Sequence, residues 1–202
     1  MTVEVEFKPF PKMQRLYDNA NGIVITEKAD GTNAAVQIEN GTLVGIQSRK
    51  RLITPESDNF GFARWATDNA EGLVETLGDG IHYGEWLGKG IQRGYGLDEK
   101  RFALFNTTRW SGYDDQGSWV RNPSLSTVPG LTTVPELYRG SVSDGIDNKV
   151  EYALDLLRAN GSWINPGFDR PEGVVVFFND SRIGFKVIPE GWEPNSKAAT
   201  RG

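Results

Sequence analysis

Short runs of apolar residues separated by polar turns predict strands in the first quarter of the chain. Residues 23–25 are β-branched, residues 34–38 are mostly apolar, and both segments predict strands. The Asn-Gly pair in "ENGT" at 39–42 is typical of a tight hairpin turn, with residues 43–47 as the returning strand.

The apolar period lengthens in "PESDNFGFARWATDNAEGLVETLG", which predicts a helix. Ser57 or Asp58 supplies the N-cap. Gly61 and Gly72 disfavour a helix here, because glycine weakens helix interiors. The predicted apolar face comprises Phe60, Ala63, Leu73 and Leu77.

The rest of the chain predicts strands at 81–88 and 101–108 and long loops across the Ser-, Gly-, Pro- and Thr-rich residues 111–143. "DNKVEYALDLLRAN" has helical spacing and ends at Gly161, a good C-cap residue. "EGVVVFF" and "RIGFKVI" flank a turn at 179–181 and predict a closing hairpin. Because strands and helices do not alternate regularly, we expect an α+β fold of mostly antiparallel sheets flanked by helices.

The composition is that of a globular protein, with 202 residues of which 38% are hydrophobic. This length predicts a single domain over residues 1–202. No apolar run approaches the roughly 20 residues of a membrane helix. The N-terminal "MTVEVEFKPF" lacks the basic and apolar blocks of a signal peptide, so we expect a cytoplasmic protein without membrane partners.

Residue usage excludes several kinds of catalytic site. The chain has no cysteine, which excludes disulfides, thiolate metal sites and cysteine nucleophiles. It has one histidine, His82, and no Gly-x-Ser-x-Gly elbow. The formal charge of −5 argues against a general polyanion binder but permits a local basic groove. Catalysis must therefore rest on lysine, arginine, carboxylates, hydroxyls or a bound cofactor.

Four charged segments lie in or beside predicted strands: "EKADGTN" at 27–33, "SRKRLITP" at 48–55, "YGEWLGKG" at 83–90, and "PEGVVVF" at 171–177 with a following "FKV". Taken singly, each is typical of a charge that points to solvent. Their order, with "FALF" before the last pair, resembles the covalent nucleotidyltransferase superfamily of ATP-dependent DNA ligases, RNA ligases and capping guanylyltransferases. "GTN" after the lysine and "RLITPESDNFGF" are most similar to the phage-type RNA ligases that seal nicks.

The resemblance implies that Lys28 is the nucleophile, which attacks the α-phosphate of ATP and releases pyrophosphate. A lysine amine attacks phosphorus only when neutral, and a free lysine loses its proton at neutral pH at a cost of about 4 kcal/mol. Partial burial and neighbouring cations lower that cost. The AMP would then pass to a 5′-phosphate, and a 3′-hydroxyl would seal the strand with release of AMP.

The resemblance also assigns roles around the nucleotide. Glu172 would lie near Mg²⁺ or Mn²⁺, while Glu85 would hold the ribose hydroxyls, although either is a hard oxygen ligand suited to the metal. Phe105 would stack on the base, with Phe102 as the alternative, and core packing is an equal explanation for both rings. The remaining cofactor contacts would come from Glu27, Arg49 and Lys186.

Nucleic-acid contacts are expected from basic and amide side chains near these motifs. Asn33 resembles a residue that orients the nucleic-acid end, although an asparagine also supports turns. The basic candidates are Arg51, Lys89 and Arg93, and Arg51 is also explained as a solvated side chain. The expected partner is RNA with 5′-phosphate and 3′-hydroxyl ends, bound by a monomer.

Two departures from the family pattern stand out. Relatives carry Lys-x-Lys in the last strand, whereas "GFKVIPEG" has only Lys186, which therefore matches either lysine. Relatives usually also carry a C-terminal domain, whereas this sequence ends shortly after the last motif. We therefore expect a catalytic core without an accessory domain. The main alternative is a DNA ligase. A capping guanylyltransferase, a binding protein without catalysis, and a domain with charged surface strands remain further alternatives.

Overall fold

The computed structural model describes residues 6–9, 22–113, 119–121, 123–141 and 145–192. These residues form two compact units. Unit 1 takes its described residues from 6–9, Gly31–Gly94 and Asp98–Thr133, and unit 2 from 22–30, Tyr95–Leu97 and 134–192. The single domain expected from chain length stays a prediction.

The described residues contain both strands and helices, as the sequence predicts. The strands are β1 Ile23–Glu27, β2 Thr32–Glu39, β3 Thr42–Ser48, β4 Gly80–Gly88, β5 Lys100–Leu104, β6 Ser111–Tyr113, β7 Trp119–Arg121, β8 Leu131–Thr133, β9 Glu136–Gly140, β10 Val174–Phe178 and β11 Ile183–Val187. The helices are α1 Phe62–Asp68, α2 Ala70–Leu77, α3 Thr107–Trp110 and α4 Ile146–Asn160. None of the helices in the described ranges is long and apolar enough to cross a membrane.

Unit 2 is built on an antiparallel four-stranded sheet in the order β11-β10-β1-β9. Helix α4 covers one face of this sheet with residues at helical spacing. The buried residues of the helix are Ile146, Val150, Ala153, Leu154 and Leu157. Across the three strands β1, β10 and β11, Ile25, Val176 and Phe185 are aligned and belong to this core. The predicted C-terminal helix and closing hairpin are therefore confirmed.

Unit 1 is built on a five-stranded sheet in the order β3-β2-β4-β5-β8, antiparallel except for the β5–β8 pair. The β2–β3 hairpin turns at Asn40 and Gly41, whose φ angles of 50° and 68° match the turn that an Asn-Gly pair favours. Helices α1 and α2 share an apolar core with this sheet, so the α+β prediction is confirmed.

The single helix predicted after residue 55 is instead two helices that meet at Asn69. The N-cap of α1 is Gly61, and neither Ser57 nor Asp58 occupies that position. The carboxylate of Asp58 nevertheless accepts hydrogen bonds from the backbone N–H groups of Ala63 and Arg64 in the first turn. The placement of Phe60 on the apolar face is wrong. Its side chain is exposed, and its φ of 53° places it in a left-handed turn before the helix.

Two other segments differ from the prediction. The strand expected over 101–108 is β5, which ends at Leu104, because Asn106 caps the short helix α3 through its side chain. The long loop expected over 111–143 contains the four strands β6 to β9 among its described residues. Since β9 pairs with β1, its strand conformation depends on a partner more than 100 positions away in sequence.

Candidate active site

Lys28 immediately follows β1 and is brought to Glu172 by the register of the sheet in unit 2. Glu27 pairs with Val174 across β1 and β10, and the backbone N–H of Lys28 donates to the carbonyl of Gly173 at 2.8 Å. The Nζ atom of Lys28 donates to Oε2 of Glu172 at 2.6 Å, in an ion pair between side chains that are 19% and 7% exposed. Two of the sequence motifs therefore meet although 144 positions separate them.

The glycine of the "EGVVVF" motif allows the close packing beside this ion pair. Gly173 has a φ of 145°, and a Cβ atom at this position would lie 2.2 Å from the carbonyl oxygen of Val187. Any larger residue would push β10 away from β11, because no Cβ atom tolerates that distance to backbone. Gly173 thus fixes the backbone that presents Glu172 to Lys28.

Lys186 lies on the sheet face that points away from α4. It pairs with Val175, which in turn pairs with Thr26, so these three side chains share one face. Lys28 continues the alternation of Thr26 beyond the end of β1. The exposed Lys186 and the partly exposed Lys28 therefore belong to the same face of unit 2.

Glu27 lies on the opposite face and is 1% exposed. Its carboxylate accepts hydrogen bonds from the Ser162 hydroxyl at 2.6 Å, the Trp163 N–H at 2.7 Å and the Ile164 N–H at 3.1 Å. Burial raises the pKa of Glu27 to about 7, although each of these three donors lowers it. The predicted nucleotide contact of Glu27 stays a prediction. The hydrogen bonds of its carboxylate join the start of residues 27–30, the Lys28 segment, to residues 162–164.

Tyr95 is a site residue that the sequence analysis missed. Its side chain is fully buried, and its hydroxyl accepts a hydrogen bond of 2.7 Å from the backbone N–H of Asp30, two residues after Lys28. The Gly-Tyr-Gly sequence at 94–96 indicates a turn, but a turn signal alone does not show that the tyrosine reaches the Lys28 segment.

In unit 1, Glu85 and Asn33 face each other across β4 and β2. Oε2 of Glu85 accepts from the Asn33 amide at 2.9 Å, and Oε1 accepts from the Gly31 N–H at 3.1 Å. Glu85 is 7% exposed. The structure therefore brings together the predicted ribose ligand and the predicted nucleic-acid residue of this unit.

The two candidate stacking rings occupy different environments in unit 1. Phe102 is fully buried and packs against Phe62 and Trp65, with ring centroids 4.9 Å and 5.8 Å away. Phe105 follows β5 and is 37% exposed. Phe102 is thus a core residue, and Phe105 is the ring with a surface available for stacking.

The predicted basic contacts lie in turns and loops of unit 1. Arg49 and Lys89 are exposed, and Arg93 is partly buried. The guanidinium of Arg51 donates to the carbonyl and hydroxyl of Ser57 at 3.0 Å and 2.9 Å, so it holds its own loop. Their contacts with nucleic acid, and the cofactor contact of Arg49, stay predictions.

The described residues contain no group of three or more histidine, aspartate or glutamate side chains arranged to hold a metal ion. Glu172 offers one hard carboxylate ligand, which fits a metal whose other ligands are water and substrate phosphate. That arrangement is common for Mg²⁺, which keeps several waters and binds few carboxylates.

The sequence model of the RNA ligase family matches residues 21–188, which is most of the chain. The chain belongs to the RNA ligase family. This membership confirms the resemblance that the four motifs indicate. No curated protein sequence matches this RNA ligase family member at a significant level.

Solved RNA ligase structures from Naegleria gruberi share the fold of this family member. A complex with pyrophosphate has a TM-score of 0.58 and 22% identity, covering 90% of this chain and 53% of that chain. A variant with ATP and Mn has a TM-score of 0.58 and 21% identity, covering 90% and 52%. Another variant, with AMP and Mn, has a TM-score of 0.52 and 20% identity, covering 86% and 51%. The chain thus spans about half the length of these relatives.

Proposed function

We propose that this chain carries the nucleotidyltransferase chemistry of an ATP-dependent RNA ligase. The observation that carries the proposal is the 2.6 Å pair of Lys28 and Glu172, formed from two family motifs by the register of β1 and β10. Support comes from the family membership and from the ATP, AMP and Mn bound by ligases with a similar fold.

In the proposed first reaction, the Lys28 ammonium loses one proton to solvent, and its neutral Nζ attacks the α-phosphorus of ATP. An N–P bond forms, the bond from that phosphorus to the bridging oxygen breaks, pyrophosphate leaves, and the nitrogen loses a second proton to solvent. Glu172 holds the amine in place before the attack, and Lys186 on the same sheet face supplies positive charge toward the phosphates.

A divalent cation would be held through Glu172 and, when bound, would offset negative charge on the phosphate oxygens. The protein side chains set the geometry: the ion pair orients Nζ, and the buried Glu27 fixes the strand end from which Lys28 projects.

The proposed substrate is RNA with a 5′-phosphate and a 3′-hydroxyl end. In the second reaction the 5′-phosphate takes AMP from Lys28, and in the third the 3′-hydroxyl attacks and releases AMP. Asn33 supports a choice of RNA over DNA, because an amide is able to bond a 2′-hydroxyl that DNA lacks.

Incubation with ATP labelled at the α-phosphate tests the first reaction. Wild type should retain acid-labile label after denaturation, whereas Lys28→Ala and Lys28→Arg should retain none, because arginine stays protonated. Lys89→Arg is the matched control, since Lys89 is exposed and follows a strand in unit 1. Equal labelling of wild type and both Lys28 variants would refute the proposal.

A ligation panel tests the substrate. The panel comprises nicked RNA, nicked DNA and hybrids that place ribose only on the 3′-hydroxyl side of the nick. We expect the substrates with ribose on that side to be sealed faster than nicked DNA. Equal rates with DNA on that side would replace the RNA ligase proposal with the DNA ligase alternative while leaving the role of Lys28 intact.

A further inference from the structure

Tyr95 sits in an unusual backbone conformation that directs its side chain into unit 2. It has φ 54° and ψ 18°, and the flanking Gly94 and Gly96 have φ angles of 64° and 63°. A bulky residue rarely occupies this left-handed region, and such residues cluster at functional sites. Three successive left-handed residues therefore hold the aromatic ring in a position that an ordinary turn would not give it.

The hydroxyl of Tyr95 contacts the backbone on the C-terminal side of Lys28. It accepts a 2.7 Å hydrogen bond from the Asp30 N–H and lies 3.5 Å from the Lys28 carbonyl oxygen, toward which it donates. The first contact is short and the second is long, so the hydroxyl acts mainly as an acceptor for Asp30. Burial is the largest cause that raises the pKa of Tyr95, and the nearby carboxylate of Glu27 raises this pKa further. The hydroxyl therefore stays neutral.

One loop of unit 2 holds both sides of the Lys28 segment. On one side, residues 162–164 donate three hydrogen bonds to Glu27, the residue before Lys28. On the other side, the Asn165 amide donates to the Tyr95 carbonyl at 2.8 Å. The ring of Phe168 packs 5.1 Å from the ring of Tyr95. The loop thus reaches the segment through Glu27 and through Tyr95.

We propose that Tyr95 is a positioning residue for the nucleophile: its hydroxyl fixes the backbone at Asp30, and thereby the direction in which Lys28 presents Nζ beside Glu172. This inference rests on the proposed function. Tyr95 touches the backbone of the segment rather than substrate, so its removal should slow the attack of the amine without weakening the binding of ATP.

Tyr95→Phe removes the hydroxyl and keeps the ring. The rate of covalent AMP attachment at saturating ATP should fall about tenfold to a hundredfold, since small misplacements of reacting groups cost that much. The ATP concentration for half the maximal rate should not change. Tyr138→Phe is the matched control, because the Tyr138 hydroxyl donates to the Ser141 carbonyl elsewhere in unit 2. This control should react at the wild-type rate.

An unchanged maximal rate in Tyr95→Phe would overturn the inference, and so would a rise in half-saturating ATP that accounts for the loss. If circular dichroism shows that Tyr95→Phe does not fold, Asn165→Ala serves instead. We expect the same result for it: a lower maximal rate and an unchanged half-saturating ATP concentration. Covalent AMP on wild type and on the Tyr138→Phe control would support the proposed function whatever the rate of Tyr95→Phe. No label on wild type would overturn the proposed function and this inference together.

Discussion

Replacing Glu27 with glutamine removes the charge of a buried carboxyl beside the proposed nucleophile and keeps its size. In the wild type this carboxyl accepts hydrogen bonds from Ser162, Trp163 and Ile164 while only 1% of the residue is exposed. Burial opposes ionisation more strongly than the three donors favour it, and the pKa rises from 4.5 to about 7.

The sign of the effect on stability follows from this pKa. Because the folded protein binds the proton of Glu27 more tightly than the unfolded chain does, the stabilisation is complete below about pH 4.5. It is lost progressively as the pH rises to about 7. At 1.36 kcal/mol per pH unit, the difference between the two pKa values corresponds to about 3 kcal/mol of unfolding free energy.

Urea unfolding of wild type and Glu27→Gln from about pH 4.5 to about pH 8 measures this loss. The free energy of unfolding of wild type should fall relative to that of Glu27→Gln by about 3 kcal/mol across this window. Subtracting the unfolding free energy of Glu27→Gln from that of wild type cancels the contribution of His82. Burial lowers the pKa of His82, so its contribution to stability is lost in the opposite direction, as the pH falls below 6.5. Glu75→Gln, at an exposed position, is the control. Parallel curves for wild type and Glu27→Gln would refute the reasoning.

Two further predictions concern unit 1. Phe102→Ala should lower the unfolding free energy by about 3–5 kcal/mol, whereas Phe105→Ala should change it by about 0.5 kcal/mol or less and raise the half-saturating ATP concentration. Equal destabilisation in urea unfolding would contradict the distinction between these rings. Gly31→Ala should lower the unfolding free energy by about 1–3 kcal/mol, because the added Cβ would lie 2.3 Å from the Trp86 carbonyl oxygen. Gly184→Ala, where the nearest atom is 3.6 Å away, is the control, and similar unfolding curves for the two variants would contradict the expectation.

Local patterns predicted the elements whose partners are close in sequence. The Asn40–Gly41 turn, the helix α4 with its apolar face, and the β10–β11 hairpin depend on local periodicity and turn chemistry. The spacing of Phe60 predicts a place on the helix, but Phe60 and Gly61 have left-handed backbone conformations, and the helix begins only at Phe62. An apolar residue at helical spacing is not enough to place a helix start.

The contacts around Lys28 depend on pairings that no local pattern contains. The motif order indicated Lys28 and Glu172, but their distance follows from a strand pairing across 144 positions. The hydrogen bonds of Glu27 to the loop at 162–164 and of Tyr95 to Asp30 also join distant segments. Ser162 and Tyr95, the partners of Glu27 and Asp30, lie outside the motifs, so only the folded chain shows these contacts.

The most direct test of the account is the position of AMP on the protein. Wild type is incubated with ATP and Mg²⁺, digested under conditions that preserve phosphoramidates, and analysed by tandem mass spectrometry. We expect AMP attached to the peptide that contains Lys28, at the Nζ atom of that residue. AMP on another lysine, such as Lys186 or Lys89, or no AMP on any peptide, would contradict it.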